Sequence, residues 1–400
     1  MSEIPHTNVT RMVVKNYRTL VDLDIALTPL TVFVGKNATG KSNVIDVLRF
    51  VRDALVEGFD QALFKRGGIA ALRYWFADEN EHVSIGLFFK GPEWSGQYSF
   101  AFASARRDEY EIKSEKLSLT IINDRQEKEQ EVFFEVVDGQ LVRIPEKIDG
   151  ILMRSSSHPK AVSKTSFYLS QLALVSPTMK AVRDFLANTS FYDFFPLHMR
   201  APQQATQPVP LLENGSNLAA TLREIQRKKK DYLITQALEV VVKGIEGYSV
   251  IPVGKHLVTK LHYAFQNGHS QKPPSDLSDE SDGTIRVLAM LAALYQERYP
   301  SPLAIEEPEK AIYSRALALC GNVLQEGTLR YQVLLSTHSP DLIDHFPLDS
   351  FLVVEKEDGV TKIGPIRQNQ RHSIEKRWFS TGEIMQMEGL QREVSGGKAT

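Results

Sequence analysis

The sequence predicts an α/β fold: a sheet flanked by helices, carrying a β-rich insertion and a helical lobe. Three observations predict it. A strand, a Gly-rich loop and a helix follow one another from "TVFV" to "KSNVIDVLRFVRDALVEGF", short alternating strands fill roughly residues 70–145, and after residue 283 helix and strand patterns alternate again. At 400 residues the chain exceeds the usual single-core size, so two domains or one domain with a large insertion is expected. The expected division is 1–70 for the first part of the sheet-and-helix body, 71–160 for the β-rich insertion, 161–270 for the helical lobe and 271–400 for the rest of the body.

Each element has a local signature. "RMVVKNYRTL" and "VDLDIALTPL" read as strand, turn, strand, and the apolar "TVFV" ends at Gly35. Val44, Val47, Leu48, Val51 and Leu55 then fall at helical spacing, so residues 35–42 lie between a buried strand and a helix N-terminus. "HVSIGLFFK", "GQYSFAFA", "KLSLTII" and "VFFEVV" alternate with charged turns. Helical patterns dominate from about 160 to 270, as in "LAATLREIQRKKKDYLITQALEVVVKGI". The final alternation runs through "GTIRVLAMLAALYQE", "PLAIEE", "SRALALCGNVLQE", "YQVLLSTH" and "FLVVEKEDGVTKIG".

Composition sets outer bounds. With 42% hydrophobic and 24% charged residues the chain is an ordinary globular protein, and a net charge of -2 gives no global signal for nucleic acid. Cys320 is the single cysteine, which excludes an intrachain disulfide and an all-cysteine zinc site and fits a reducing cytosol. The first residues lack a leader pattern and no apolar run is long enough for a bilayer, so a cytoplasmic protein without a membrane segment is expected. "RKKK" at 227–230 is either a nucleic-acid patch or a solvated helix face.

Four places carry chemistry. Gly35, Gly40, Lys41 and Ser42 satisfy G-x-x-x-x-G-K-[ST], in which backbone N–H groups wrap phosphates, the lysine reaches the β and γ oxygens and the hydroxyl ligates magnesium. Asn37 within the loop and Asn43 after it join the expected cofactor-binding set. In "LAIEEPE" an apolar run ends in two acids, with Glu306 expected in the magnesium shell and Glu307 expected to polarise an attacking water. "VLLSTHSP" brings His338 to the carboxyl end of a buried strand, as a γ-phosphate contact or as a histidine satisfied in a loop. Ser281, Gly283 and Thr284 open a helix, where they serve an anion, plain capping, or both.

With these four in order, the chain resembles the ABC-type ATPases of the RecF, SMC and OLD group, and more closely the short AAA ATPases related to them. "VVKNYRTLVDLDIALTPLTVFVGKNATGKSNVIDVLRF" is similar to their opening, "FYDFFPLHMRAP" and "LLENGSNLAATL" to their middle, "DGTIRVLAMLAAL" to their signature helix, "STHSPDLID" to their switch histidine and "FSTGEIMQMEGL" to their ending. The resemblance implies ATP and magnesium as cofactors and an ATPase head that dimerises. Lys41, Ser42, Glu306, Glu307 and His338 of one subunit would face the Ser281 to Thr284 turn of another across the nucleotide. It implies a sensor or switch in antiphage defence or DNA repair, working with a separate effector protein; the alternative is a RecF-like nucleic-acid clamp whose ATP turnover times release.

The chain departs from that group at several points. Ala38 stands where related loops often have glycine, Glu306 where many have aspartate, and Tyr313-Ser314 where His-Pro is common. Gln171 is the candidate for the glutamine loop. No long heptad run or paired cysteine motif supports a zinc hook, and the roughly 60 residues after His338 contain no acidic cluster for a Toprim nuclease. "RQNQRH", 367–372, matches the spacing of HEPN ribonucleases but follows a strand instead of belonging to a helical bundle.

Overall fold

The structure, a computed structural model, describes residues 6–78, 81–105, 109–122, 128–153, 160–205, 210–242, 244–264, 273–297 and 301–394. Its centre is a six-stranded sheet in the order Ser190–Tyr192, Leu303–Glu306, Val333–Thr337, Leu30–Val34, Phe351–Glu357, Val360–Gly364. The first five strands run parallel and the last returns as a hairpin. Every residue of Leu30–Val34 and Val333–Thr337 is buried, as befits strands covered on both faces.

The two-residue period of these strands divides their side chains between two cores. Phe33, Ala304, Leu334 and Val354 pack toward the helix Lys41–Val56 and the β-rich sheet behind it. Val32, Val34, Leu303, Ile305, Val333, Leu335 and Val353 pack on the opposite side, against the helices Asp282–Tyr295 and Ser314–Gly327. Val34 pairs with Thr337 and Glu306 with Ser336, so the carboxyl ends of three strands from distant parts of the chain meet at one edge. Open α/β sheets bind ligands at that edge.

The β-rich part is larger than the segment 71–160 alone. Asn8–Tyr17 and Leu20–Ala26 join Val83–Lys90, Trp94–Ser104, Tyr110–Ile122, Lys128–Val137, Gln140–Arg143 and Lys160–Ala161 in one eight-stranded antiparallel sheet. Alternation explains the pairing: in Val83–Lys90, Val83, Ile85, Leu87 and Phe89 are buried and the intervening side chains are not. Segment 161–270 holds the helices Leu218–Arg227 and Asp231–Val241, but also the edge strand Ser190–Tyr192 and the antiparallel hairpin Ile245–Val253 with His256–Tyr263. The hairpin turns at Gly254 with φ 60°. Among the described residues no helix is long and apolar enough to cross a membrane.

Candidate nucleotide site

The loop between Val34 and Lys41 is held by close contacts that only glycine permits. A Cβ on Gly35 would lie 2.2 Å from the Val354 carbonyl oxygen, and one on Gly40 would lie 2.1 Å from the Thr361 hydroxyl. Gly40 also has φ 109° and is the N-cap of the 16-residue helix Lys41–Val56 without any side-chain cap. The first N–H groups of that helix therefore stay available for an anion. Ala38 adopts a left-handed φ of 62° with its side chain exposed, which costs an alanine about 1 kcal/mol that glycine would not incur.

Polar contacts fix the rest of the loop. Lys41 Nζ donates to the carbonyls of Gly35 (2.7 Å) and Lys36 (2.9 Å), and Thr39 Oγ1 donates to the Lys36 carbonyl (2.9 Å). Thr361, on the C-terminal hairpin, donates its hydroxyl to the Thr39 carbonyl at 2.8 Å and lies 2.7 Å from the Thr19 hydroxyl, which accepts from Asn43 Nδ2. Burial lowers the affinity of the Lys41 ammonium for its proton, while Glu307 and Glu309 act to raise it.

The two acids at the end of Leu303–Glu306 face different partners. Glu306 accepts from Arg49 Nη2 at 3.0 Å. Glu307 has φ 45°, donates its N–H to the Ser336 carbonyl, and pairs with Lys310 at 2.8 Å. Its carboxylate also lies 3.4 Å from His338 Nδ1. Burial would raise the Glu307 carboxyl, but Lys310, His338 and Lys41 together hold it below its ordinary range. It is a carboxylate at neutral pH, the state a general base requires.

Three cavities meet at the loop. Gly40, Lys41, Ser42, Asn43, Glu307 and Lys356 line one of about 330 Å³, together with Asn37. Ser42 borders a second, of about 750 Å³, with Glu306, Arg49 and Glu213. Gly35, Asn37 and His338 border a third, of about 1050 Å³, next to the C-terminal residues Met385–Gln391. Gly35, Asn37, Gly40, Lys41, Ser42, Asn43, Glu306, Glu307 and His338 thus surround one loop.

Ser281, Gly283 and Thr284 line none of these cavities. Ser281 Oγ caps the helix Asp282–Tyr295 by accepting the Thr284 N–H at 3.1 Å, and a Cβ on Gly283 would lie 2.5 Å from the Ala311 carbonyl oxygen. Gly283 and Thr284 are buried, while Ser281 and Asp282 reach the surface, where Arg200 holds Asp282 at 2.5 Å. Gln171 lies on Tyr168–Leu172 and lines none of the three cavities either. Tyr313 donates its hydroxyl to the Val241 carbonyl.

Sequence reasoning missed three contributors. Glu309, three residues beyond Glu306, accepts from the Thr337 hydroxyl (2.7 Å) and the His338 N–H (3.0 Å), setting the backbone that carries His338. Lys356 adds a second ammonium to the 330 Å³ cavity. Thr361 pairs opposite it in the hairpin and buttresses the loop. The acid in "EEPE" and the alternation of "VVEKE" were the available signals.

The donor set fits magnesium carried by a nucleotide. Ser42 and Glu306 border the same cleft and offer a hydroxyl and a carboxylate, the hard oxygens magnesium prefers. Among the described residues no group of three or more His, Cys, Asp or Glu forms a metal cage. In the run 227–230, Lys228 and Lys230 both pair with Glu297 and Arg227 lies 3.7 Å from Glu224, so two acids face four cations. In 367–372, Arg367 donates to Gln391 while His372 meets the Trp378 ring edge-on, so each has a structural partner.

A family model described as "AAA domain, putative AbiEii toxin, Type IV TA system" matches residues 30–344. No curated protein matches the chain. Among solved structures, an Smc head bound to the C-winged helix domain of ScpA is similar at 12% identity, covering 92% of this chain and 99% of that one with a TM-score of 0.51. The SMC head domain from Thermotoga maritima is 14% identical over 90% of this chain and 99% of its own, with a TM-score of 0.44. An Smc head with an extended coiled coil from Pyrococcus furiosus, bound to the C-terminal domain of ScpA, is 11% identical over 93% and 99%, with a TM-score of 0.47.

Proposed function

The chain belongs to the AAA-domain family of that description and has the ABC-type head fold of the RecF and SMC group, and from that premise we propose that it binds and hydrolyses ATP as a switch. The observation that carries the proposal is the shared cavity of Lys41 and Glu307, two residues 266 positions apart that the parallel strands bring to one edge. Gly40 and the helix N-terminus receive phosphate oxygens, and Lys41 exchanges its carbonyl partners for them. Ser42 and Glu306 would hold magnesium together with the nucleotide, and the ion would supply neutralisation of the phosphate charge. Glu307 orients a water and takes its proton as the oxygen adds to the γ-phosphorus and the bond to the bridging oxygen breaks. His338, with Nδ1 beside Glu307 and Glu309, keeps Nε2 for the phosphate.

Ser281 and Asp282 stand on the surface and line none of the cavities at the loop, which suits a contact supplied to a second copy. Two heads close on ATP and separate after hydrolysis. The family description places relatives in a toxin–antitoxin setting, and one Smc head of similar fold is bound to another protein's domain. The first supports a defence setting and the second a protein partner, and a switch subunit acting with a separate effector accommodates both. The nucleic-acid clamp is the weaker reading because Glu224 and Glu297 pair with three of the four cations of the 227–230 run. Light scattering tests the closure: Glu307→Gln with ATP and magnesium doubles the molar mass, and adding Ser281→Arg returns it to one copy. A single-copy mass for Glu307→Gln under those conditions overturns head closure.

A further inference from the structure

Arg49 lies two turns into the helix that follows the phosphate loop, and its guanidinium stands between two acids. Nη2 donates to Glu306 at 3.0 Å. Nε is buried without a hydrogen-bond partner and lies 3.7 Å from Glu213 Oε2, just beyond bonding reach. Glu213 is already engaged by Arg52 at 2.5 Å, and both guanidinium groups lie 4.9 Å from the Phe191 ring. The cation is thus braced on an aromatic face, bonded to one acid and poised toward the other.

The second acid belongs to the connection to the helical lobe. Glu213 accepts the Asp193 N–H through its backbone carbonyl, and its neighbour Leu212 donates its N–H to Asn217 at the start of Leu218–Arg227. That helix shares a core with Asp282–Tyr295, the helix capped by Ser281. A contiguous path therefore runs from Glu306 through Arg49 and Glu213 to the lobe.

We propose that Arg49 is a positioning residue shared between Glu306, the acid on the magnesium side of the site, and Glu213, the acid that anchors the entry to the helical lobe. The inference rests on the ATP reading. A hard cation beside Ser42 competes with Arg49 for the same carboxylate, and an Arg49 released from Glu306 has Glu213 within a small shift. Occupancy of the site and position of the 210–217 connection are then linked, and the linkage is reciprocal: whatever weakens the Arg49–Glu306 bond lowers the magnesium requirement.

The test is a magnesium titration of fluorescent ATP-analogue binding to the full chain, unsubstituted and as Arg49→Met, with hydrogen exchange across 210–227 followed in parallel. Arg49→Met is expected to reach half-maximal binding at roughly three- to tenfold less magnesium, because a charge-assisted bond no longer opposes the ion, and exchange in 210–227 no longer responds to nucleotide. Arg49→Lys keeps the charge and lies between the two; it carries the comparison if Arg49→Met does not fold. An unchanged magnesium midpoint, with or without lost heat stability, overturns the inference and leaves Arg49 a structural residue. Absence of magnesium-dependent binding by the unsubstituted protein overturns the ATP reading itself, and this inference with it.

Discussion

Thr361 stands against Gly40, so that a Cβ on the glycine would fall 2.1 Å from the threonine hydroxyl. The two residues are 321 positions apart, and their contact welds the phosphate loop to the last hairpin of the sheet. Gly40→Ala has to move the hairpin or the loop, and it also strains a backbone at φ 109°. A loss of about 2 kcal/mol or more in denaturant unfolding is expected, together with loss of ATP binding. Thr361→Ala removes the bond to the Thr39 carbonyl and the one shared with the Thr19 hydroxyl, and costs about 2 kcal/mol.

Lys356 separates from its neighbours by strand alternation. Glu355 and Glu357 both reach Arg392, whereas Lys356 borders the cavity of Lys41 and Glu307. Lys356→Ala is expected to raise the dissociation constant for ATP by roughly three- to tenfold, with unchanged thermal stability, as loss of one charge-assisted contact. Lys356→Arg retains most of the affinity. Equal affinities for Lys356→Ala and the unsubstituted protein, measured by calorimetry at low salt, exclude a phosphate contact.

Glu115 makes stability depend on pH. Its side chain is buried in the β-rich core, where it accepts the N–H groups of Tyr168 and Leu169 and the Tyr98 hydroxyl. Burial outweighs these donors and pushes the carboxyl up to about 7 from an ordinary 4.5. The unfolded chain releases this proton first, so the contribution of Glu115 is fully present below pH 4.5 and is lost as the pH rises to 7, by up to about 3 kcal/mol. Chemical denaturation from pH 4 to 8 should show that slope in the unsubstituted protein and its absence in Glu115→Gln.

Much of this was legible in the sequence, for local reasons. The strand–loop–helix around Gly35 to Lys41 and the acids after "LAI" announce themselves by periodicity and punctuation. The α/β class followed from them. What could not be read were partnerships set by register. Asn8–Tyr17 alternates as an antiparallel strand, but nothing local says that it pairs with Val83–Lys90 instead of extending the parallel sheet. The hairpin 245–263 was readable from the alternating "HLVTKLHY" after Gly254, yet strong helical patterns before it dominated the segment. Glu213 and Arg49 acquire meaning only through contacts across the fold.

The most direct test of the central claim is phosphate release and nucleotide retention with ATP and magnesium for the unsubstituted chain, Lys41→Ala and Glu307→Gln. The account predicts turnover by the first, no retained nucleotide on the second, and ATP retained without turnover on the third. Hydrolysis by Glu307→Gln at the unsubstituted rate, or undiminished ATP binding by Lys41→Ala, would contradict it.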